Sequence, residues 1–233
     1  MPTAREALLD AAFTALAGRP WPGVRMVDVA AAARVSRQSL YNEFGSKDGL
    51  ARALVRREAD GYLAGVERAL AGGTAGAAGA AGTAGPGAGI QDRLVAVAEW
   101  TVAAARANPL VRALLTGCWG EKLPAPHPAR TVRTVSVSPV PAQRRADAGS
   151  PGPAELAAAV RDRALAALGR GRTKEEAADI AYRCELTVRL ALSYVVAPPA
   201  SGEDFARLLR VALSGPTVSG PSVSGPSPRA GAR

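Results

Sequence analysis

Histidine occurs once in this 233-residue chain, cysteine twice, and aromatic residues make up only 4% of it. The single histidine, His127, sits in a proline-rich stretch, and neither a CxxC nor a Cys/His cluster is present. That pattern excludes a transition-metal site of the usual kind. Cys118 and Cys184 are far apart in apolar surroundings, where buried free thiols are expected. Scarce aromatics, with alanine and leucine dominant, favour helix over sheet. No uncharged apolar run approaches the length of a membrane span. The first sixteen residues carry Arg5, Glu6 and Asp10, so they do not read as a signal peptide, and a cytoplasmic location is expected. A nucleophile elbow (GxSxG) is missing, as is a phosphate loop with its Lys-Ser/Thr, and the carboxylates are scattered. No enzyme activity, metal or cofactor is therefore expected.

What is present begins with charge. The formal net charge is +9 and the isoelectric point about 10.5, which suits a polyanionic partner. The excess is unevenly placed. Residues 1–60 hold nine Lys/Arg against seven Asp/Glu, whereas residues 106–150 hold seven against two. Charge alone therefore does not locate a nucleic-acid surface.

The stretch from Val24 to Leu54 does. Asp28 to Ala33 reads as a short helix with Val29, Ala30 and Ala33 turned inward. Ser36 is a good N-cap for a second helix over Arg37 to Phe44, in which Leu40 and Phe44, at i and i+4, face the core. Gly45 ends that helix, and Ser46 caps a third beginning at Lys47. Two short helices joined by a tight turn make a helix-turn-helix, whose second helix fits the major groove of DNA. The outer face carries Arg37, Gln38, Tyr41 and Asn42. Arginine can bond guanine bidentately, glutamine or asparagine can bond adenine likewise, and hydroxyls and lysine suit phosphate. A small helical hairpin with a merely solvated polar face has the same pattern.

The run VSRQSLYNEFGSKDGL resembles the signature of the tetracycline-repressor (TetR) family. Val35, Ser36, Leu40, Tyr41, Phe44, Ser46, Lys47 and Leu50 fall on it, and Val29-Ala30 matches the usual Ile-Ala. The resemblance covers residues 3–58. The wording RQSLYNEFGSKDGL also looks like an actinobacterial branch of the family tied to alkane and fatty-acid genes. The resemblance implies an all-α protein with a three-helix DNA-binding head and a C-terminal helical ligand-binding and dimerisation domain. By motif position it directs Arg37, Gln38 and Asn42 to base edges, and Ser36, Ser39, Tyr41 and Lys47 to phosphates. Arg25 is a further phosphate candidate, standing where the family usually has threonine. A second departure is Arg34, where the turn usually has glycine because it needs a left-handed backbone; a side chain there costs about 1 kcal/mol.

Helical periodicity extends through the rest. Thr3 to Ala17 carries a Thr3/Glu6 capping-box spacing with Phe13 as core, and Lys47 to Leu70 makes one long helix weakened by Gly61 and Gly65. Further helices are expected over Ile90 to Ala107, Leu110 to Cys118, Ala154 to Leu168, Lys174 to Val196 and Gly202 to Leu213. The Ala/Gly-rich residues 71–89 and the proline-rich residues 120–153 are expected to be flexible, with a strand over Thr131 to Val137 as the alternative in the latter. The Ser-Gly-Pro tail, 214–233, is expected to be disordered. The expected division is a helix-turn-helix domain over 1–58, linked onward by the helix 47–70, and an effector-binding and dimerisation domain over 59–213.

From Ile180 onward helix 174–196 is apolar nearly all round, with only Arg183, Glu185 and Arg189 as charges, so it is expected to be buried centrally or against a partner. The family resemblance implies a homodimer there, which reading a palindromic double-stranded operator also requires. Trp100, Leu114, Leu115, Cys118, Trp119, Tyr182, Leu186, Leu190 and Tyr194 are candidate lining for an apolar effector pocket, with ordinary core as their other reading. The function implied is a sequence-specific repressor released from DNA by a small apolar ligand. The alternatives are an architectural DNA-binding protein without an effector, and a small-molecule-binding protein or enzyme with a vestigial head.

Overall fold

Thr3 opens the first helix, its Oγ1 accepting the Glu6 N–H at 3.2 Å and so satisfying one of the orphan donors of the first turn. This helix, α1 (Ala4–Gly18), buries Leu8, Leu9 and Ala12, with Phe13 and Leu16 half-buried beside them. A 3-10 turn over Trp21–Gly23 leads to α2 (Met26–Ala32), α3 (Arg37–Phe44) and the long α4 (Lys47–Leu70). The computed structural model describes residues 3–72, 89–125, 151–198 and 205–214. Its remaining helices are α5 (Ile90–Ala107), α6 (Pro109–Thr116), α7 (Pro153–Leu168), α8 (Lys174–Val196) and α9 (Phe205–Leu213). All regular structure among the described residues is helical, as the composition implies. Most of the Ala/Gly-rich stretch, the candidate strand over Thr131 to Val137 and the Ser-Gly-Pro tail lie outside the described residues. Residues 120–125, expected to belong to a flexible loop, instead lie against the N-terminal helices.

Two hydrophobic clusters organise the chain. The first joins Leu8, Leu9, Trp21, Val29, Leu40, Phe44, Leu50 and Leu54; the second begins at Val55 and takes in α5, α7, α8 and α9. α4 therefore serves both, its first two turns closing the N-terminal head and its remainder packing into the C-terminal body. α6 also touches both. Leu110 at its start is buried in the head's cluster, while Val111, Leu114 and Leu115 belong to the body's.

Polar side chains mark the same junction. Arg57 of α4 reaches Asp10 of α1 at 2.6 Å and its neighbour Glu58 at 2.9 Å. Glu58 in turn accepts a hydrogen bond from Asn108 Nδ2 at 2.7 Å. Asn108 also caps α6, its Oδ1 accepting the Leu110 N–H at 2.9 Å. One asparagine thus fixes the start of α6 and its distance from α4.

Inside the body, Thr101 Oγ1 donates to the Val97 carbonyl at 2.7 Å and lies 3.0 Å from the Tyr62 hydroxyl. Since the single threonine hydrogen is used, Tyr62 is the donor of that pair, and both buried hydroxyls are satisfied. Burial pushes the Tyr62 hydroxyl up to about 12. Trp100 of α5 lies over Gly65 of α4, donates Nε1 to the Tyr62 carbonyl at 3.0 Å, and carries the Arg68 guanidinium 5.7 Å from its ring centroid.

The two thiols differ, contrary to the expectation that both are buried. Cys184 is buried in the body, and burial pushes its thiol up to about 11. Cys118 is exposed, because the left-handed Gly117 (φ 72°) has already ended α6 before it. A thiol-specific reagent is expected to titrate one cysteine in the native protein and two after denaturation. Two rapidly reacting thiols in the native state would contradict this burial pattern.

Candidate nucleic-acid interface

The candidate surface starts from two serine caps. Ser36 Oγ accepts the Ser39 N–H at 3.0 Å and opens α3; Ser46 Oγ accepts the Gly49 N–H at 3.1 Å and opens α4. Between them Leu40 and Phe44 anchor α3 on the head's core, at 0% and 3% exposure. Fixing those two positions turns the rest of the helix outward. Ser36, Arg37, Gln38, Ser39, Tyr41 and Asn42 are all exposed. The side chains picked out for bases are thus exposed on α3 together with Ser36, Ser39 and Tyr41 of those picked out for phosphate, while Lys47 at the start of α4 is half-buried.

The turn before α3 uses the strained conformation its sequence position implied. Arg34 has φ 55° and is the only described residue other than glycine with positive φ. Arg34→Gly is expected to raise stability by about 1 kcal/mol, read as a higher melting temperature. An unchanged or lower Tm would show that the arginine side chain compensates its own backbone strain.

Contacts within the surface pre-set several groups. Gln38 Nε2 donates to Asn42 Oδ1 at 2.9 Å, one helical turn away. Lys47 Nζ donates to the Pro22 carbonyl at 2.9 Å and stands 5.5 Å from the Trp21 ring centroid. Partial burial lowers the Lys47 pKa, with nearby Asp48 acting against it. Arg25 is held by a two-pronged bond to Asp28, at 3.0 Å on each arm, and Arg19 reaches the same carboxylate at 3.1 Å. The hydrogen bond from Arg25 holds the Asp28 carboxyl below its usual range. The sequence reading missed Arg19 as a companion of Arg25, and also the pairing of Arg5 with Glu43 at the end of α3. Arg5 lies 5.0 Å from the Phe44 ring centroid and ties α1 to the recognition helix. The Arg25/Asp28 spacing of i, i+3 was the one local signal; the Arg5–Glu43 pair had none.

Residues 8–54 match the family described as "Bacterial regulatory proteins, tetR family". Over 202 residues, 87% of this chain and 79% of the relative, the sequence is 32% identical to the HTH-type transcriptional regulator AlkX of Mycobacterium tuberculosis. The chain belongs to the TetR family. A solved TetR family repressor, AlkX from Dietzia sp. strain DQ12-45-1b, has the same fold, with a TM-score of 0.51 at 20% identity over 90% of this chain and 93% of that one. TetR-family proteins are typically DNA-binding regulators that respond to small molecules, and they are not enzymes. No group of three or more potential metal ligands occurs among the described residues, and none of the helices there is long and apolar enough to cross a membrane.

The nine candidate effector residues do not line one cavity. Leu114 and Leu115 are core, at 1% and 4% exposure, and Cys118 is exposed. Trp119 packs against the clusters of both head and body. Tyr182 is 68% exposed: two residues from both Ile180 and Cys184, it lies about 200° round the helix from those buried neighbours. Leu186 is half-buried against the body's core. Leu190 and Tyr194 share a cleft of about 230 Å³ with Phe205 of α9, whose ring centroid is 4.5 Å from that of Tyr194. Trp100 borders a separate groove of about 340 Å³ between α4, α5 and α6. Apolar type and helical spacing selected these residues, but neither fixes which face of each helix meets a space.

Proposed function

We propose that this TetR-family protein is a homodimeric, sequence-specific repressor that leaves its operator when a small apolar molecule binds. The observation that carries the reading is α3: Leu40 and Phe44 buried as anchors, and Arg37, Gln38 and Asn42 exposed after a serine-capped start. Ser36, Ser39, Tyr41, Lys47 and Arg25 surround them as phosphate ligands. The location that fits a DNA target is the cytoplasm.

Dimerisation has support of its own. α7 and α8 leave an outer cleft of about 380 Å³ lined by Ala154, Ala157, Ala158 and Leu192 together with the charged Arg161, Glu185 and Arg189. Tyr182 and Val196 stand exposed on α8, at 68% and 62%. Large apolar side chains left uncovered on the outer face of a helix whose other face is core favour a second copy across a two-fold axis.

For the effector, the α4/α5/α6 groove is the favoured entry. It is lined by Tyr62, Trp100, Ala103 and Val111, and ends at Glu58 and Asn108, the pair that spaces α6 from α4. An apolar chain seated there acts on both helices that reach the head. The names of the two AlkX proteins, one implicated in biodegradation of n-alkanes, make an alkane-derived molecule the first to try.

The test is fluorescence anisotropy on DNA from upstream of the protein's own gene, against a scrambled duplex at fixed salt. A preference of about a thousandfold or more supports a specific regulator, and apolar ligands are then screened for release. Equal, salt-sensitive binding to the operator region and to its scramble would favour an architectural role instead.

A further inference from the structure

α6 is attached to the head at both ends. At its start, Leu110 is buried among the head's core residues and Asn108 is bonded to Glu58. Past its end the chain turns at Gly117 and returns to the head a second time. There Trp119 and Leu123 pack against the head's cluster, and the Lys122 carbonyl accepts the Trp21 N–H at 2.8 Å.

The Trp21–Gly23 turn that receives this segment is the one that holds Lys47. The Pro22 carbonyl takes one of the three ammonium donors, and the Trp21 ring lies beside the same nitrogen. Two donors stay available for a phosphate, from an ammonium whose stem is already fixed. Trp21 is only 7% exposed, so its position depends on what covers it. Leu123 and Trp119, from the C-terminal side of α6, pack against the cluster that Trp21 belongs to and line a cleft with it. The seat is not closed: a cleft of about 310 Å³ remains between Trp21, Arg52, Trp119 and Glu121, enough to let the segment shift.

We propose that the segment Trp119–Leu123 is a second arm between body and head, in which Leu123 and Trp119 act as positioning residues for Lys47 through the Trp21–Pro22 turn. It rests on the reading of Lys47 as a phosphate contact. The arm runs beside the α4 connection and leaves the base-reading face of α3 untouched. A displacement of α6 therefore loosens the phosphate grip as well as moving the head.

A double-mutant cycle tests it, because a residue acting through Lys47 has no effect once Lys47 is gone. The full-length protein is titrated by anisotropy against a random-sequence duplex over a salt series, since a phosphate contact needs no particular sequence. Lys47→Ala is expected to weaken binding and to flatten the slope of log K against log salt by up to about 0.9 per protomer. Leu123→Ala is expected to weaken binding about three- to tenfold, part of what a charge-assisted contact is worth, and to flatten the slope in the same sense. In the Lys47→Ala background it changes neither. Leu123→Met, which restores the apolar contact, is expected to recover binding. Thermal melts accompany each variant; if Leu123→Ala unfolds the head, Leu123→Val carries the same cycle. Equal losses from Leu123→Ala in both backgrounds overturn the arm while leaving the Lys47 contact standing. A Lys47→Ala protein with unchanged affinity and slope overturns the contact itself, and the arm with it.

Discussion

Gly61→Ala is expected to stabilise the protein, and Gly65→Ala, four residues along the same helix, to destabilise it. Helix propensity treats the two alike, each gaining about 1 kcal/mol when glycine becomes alanine in a helix interior. Their surroundings are opposite. A Cβ on Gly61 meets nothing within 4 Å, whereas one on Gly65 falls within 2.5 Å of the Trp100 ring. The indole cannot retreat cheaply. Its N–H is committed to the Tyr62 carbonyl, and Arg68 lies over its face. Moving it unpairs a partly buried donor and opens the α4–α5 contact. Overpacking of this kind costs about 1–3 kcal/mol, more than the propensity gain. Gly65→Ala should therefore lower the melting temperature by several degrees, while Gly61→Ala raises it. The Gly65→Ala/Trp100→Leu double variant should recover part of the loss relative to Trp100→Leu alone. If both alanine variants stabilise equally, Trp100 does not need the bare backbone beneath it.

That contrast shows what the sequence could reveal. Both glycines were visible as weak points in an otherwise regular helix, but only the packing of a tryptophan 35 positions away distinguishes them. The head was the most legible part, because its signals are local: Ser36 and Ser46 cap at the expected positions, and Leu40 and Phe44 are buried one turn apart. Arg34 adopted its left-handed backbone for the same reason, since a tight turn fixes its own dihedral angles. The long helices were legible through their period. What could not be read depended on distant partners. Arg5 meets Glu43, Asn108 meets Glu58, and Trp119 packs against the clusters of both head and body, none of which leaves a mark in spacing. The candidate effector residues failed to converge for that reason: an amphipathic stripe says which side of a helix is buried, not whether a cavity or another side chain lies opposite.

Base reading supplies the other large expected effect. Residues 1–60 have a net charge of only +2, so phosphate attraction from the head is modest and discrimination must come from the groove. Gln38 is suited to it. With one Nε2 hydrogen given to Asn42, its amide keeps one donor and one acceptor, the pair that adenine matches with N7 and N6. Arg37 beside it is exposed and fits guanine O6 and N7. Arg37→Ala or Gln38→Ala is expected to cost about 1–3 kcal/mol at each half-site, hence about 2–6 kcal/mol for a dimer on a palindrome. The loss should fall on the native site and hardly on a scrambled duplex, leaving the salt slope intact. Asn42→Ala should behave as a weaker version of Gln38→Ala, because it frees the amide it oriented. Competition with duplexes altered one base pair at a time separates the cases: Arg37→Ala should become indifferent to one position in each half-site, and Gln38→Ala to another. If Arg37→Ala instead weakens native and scrambled DNA by the same factor and flattens the salt slope, the arginine grips phosphate, and the reading of the groove passes to Gln38 and Asn42.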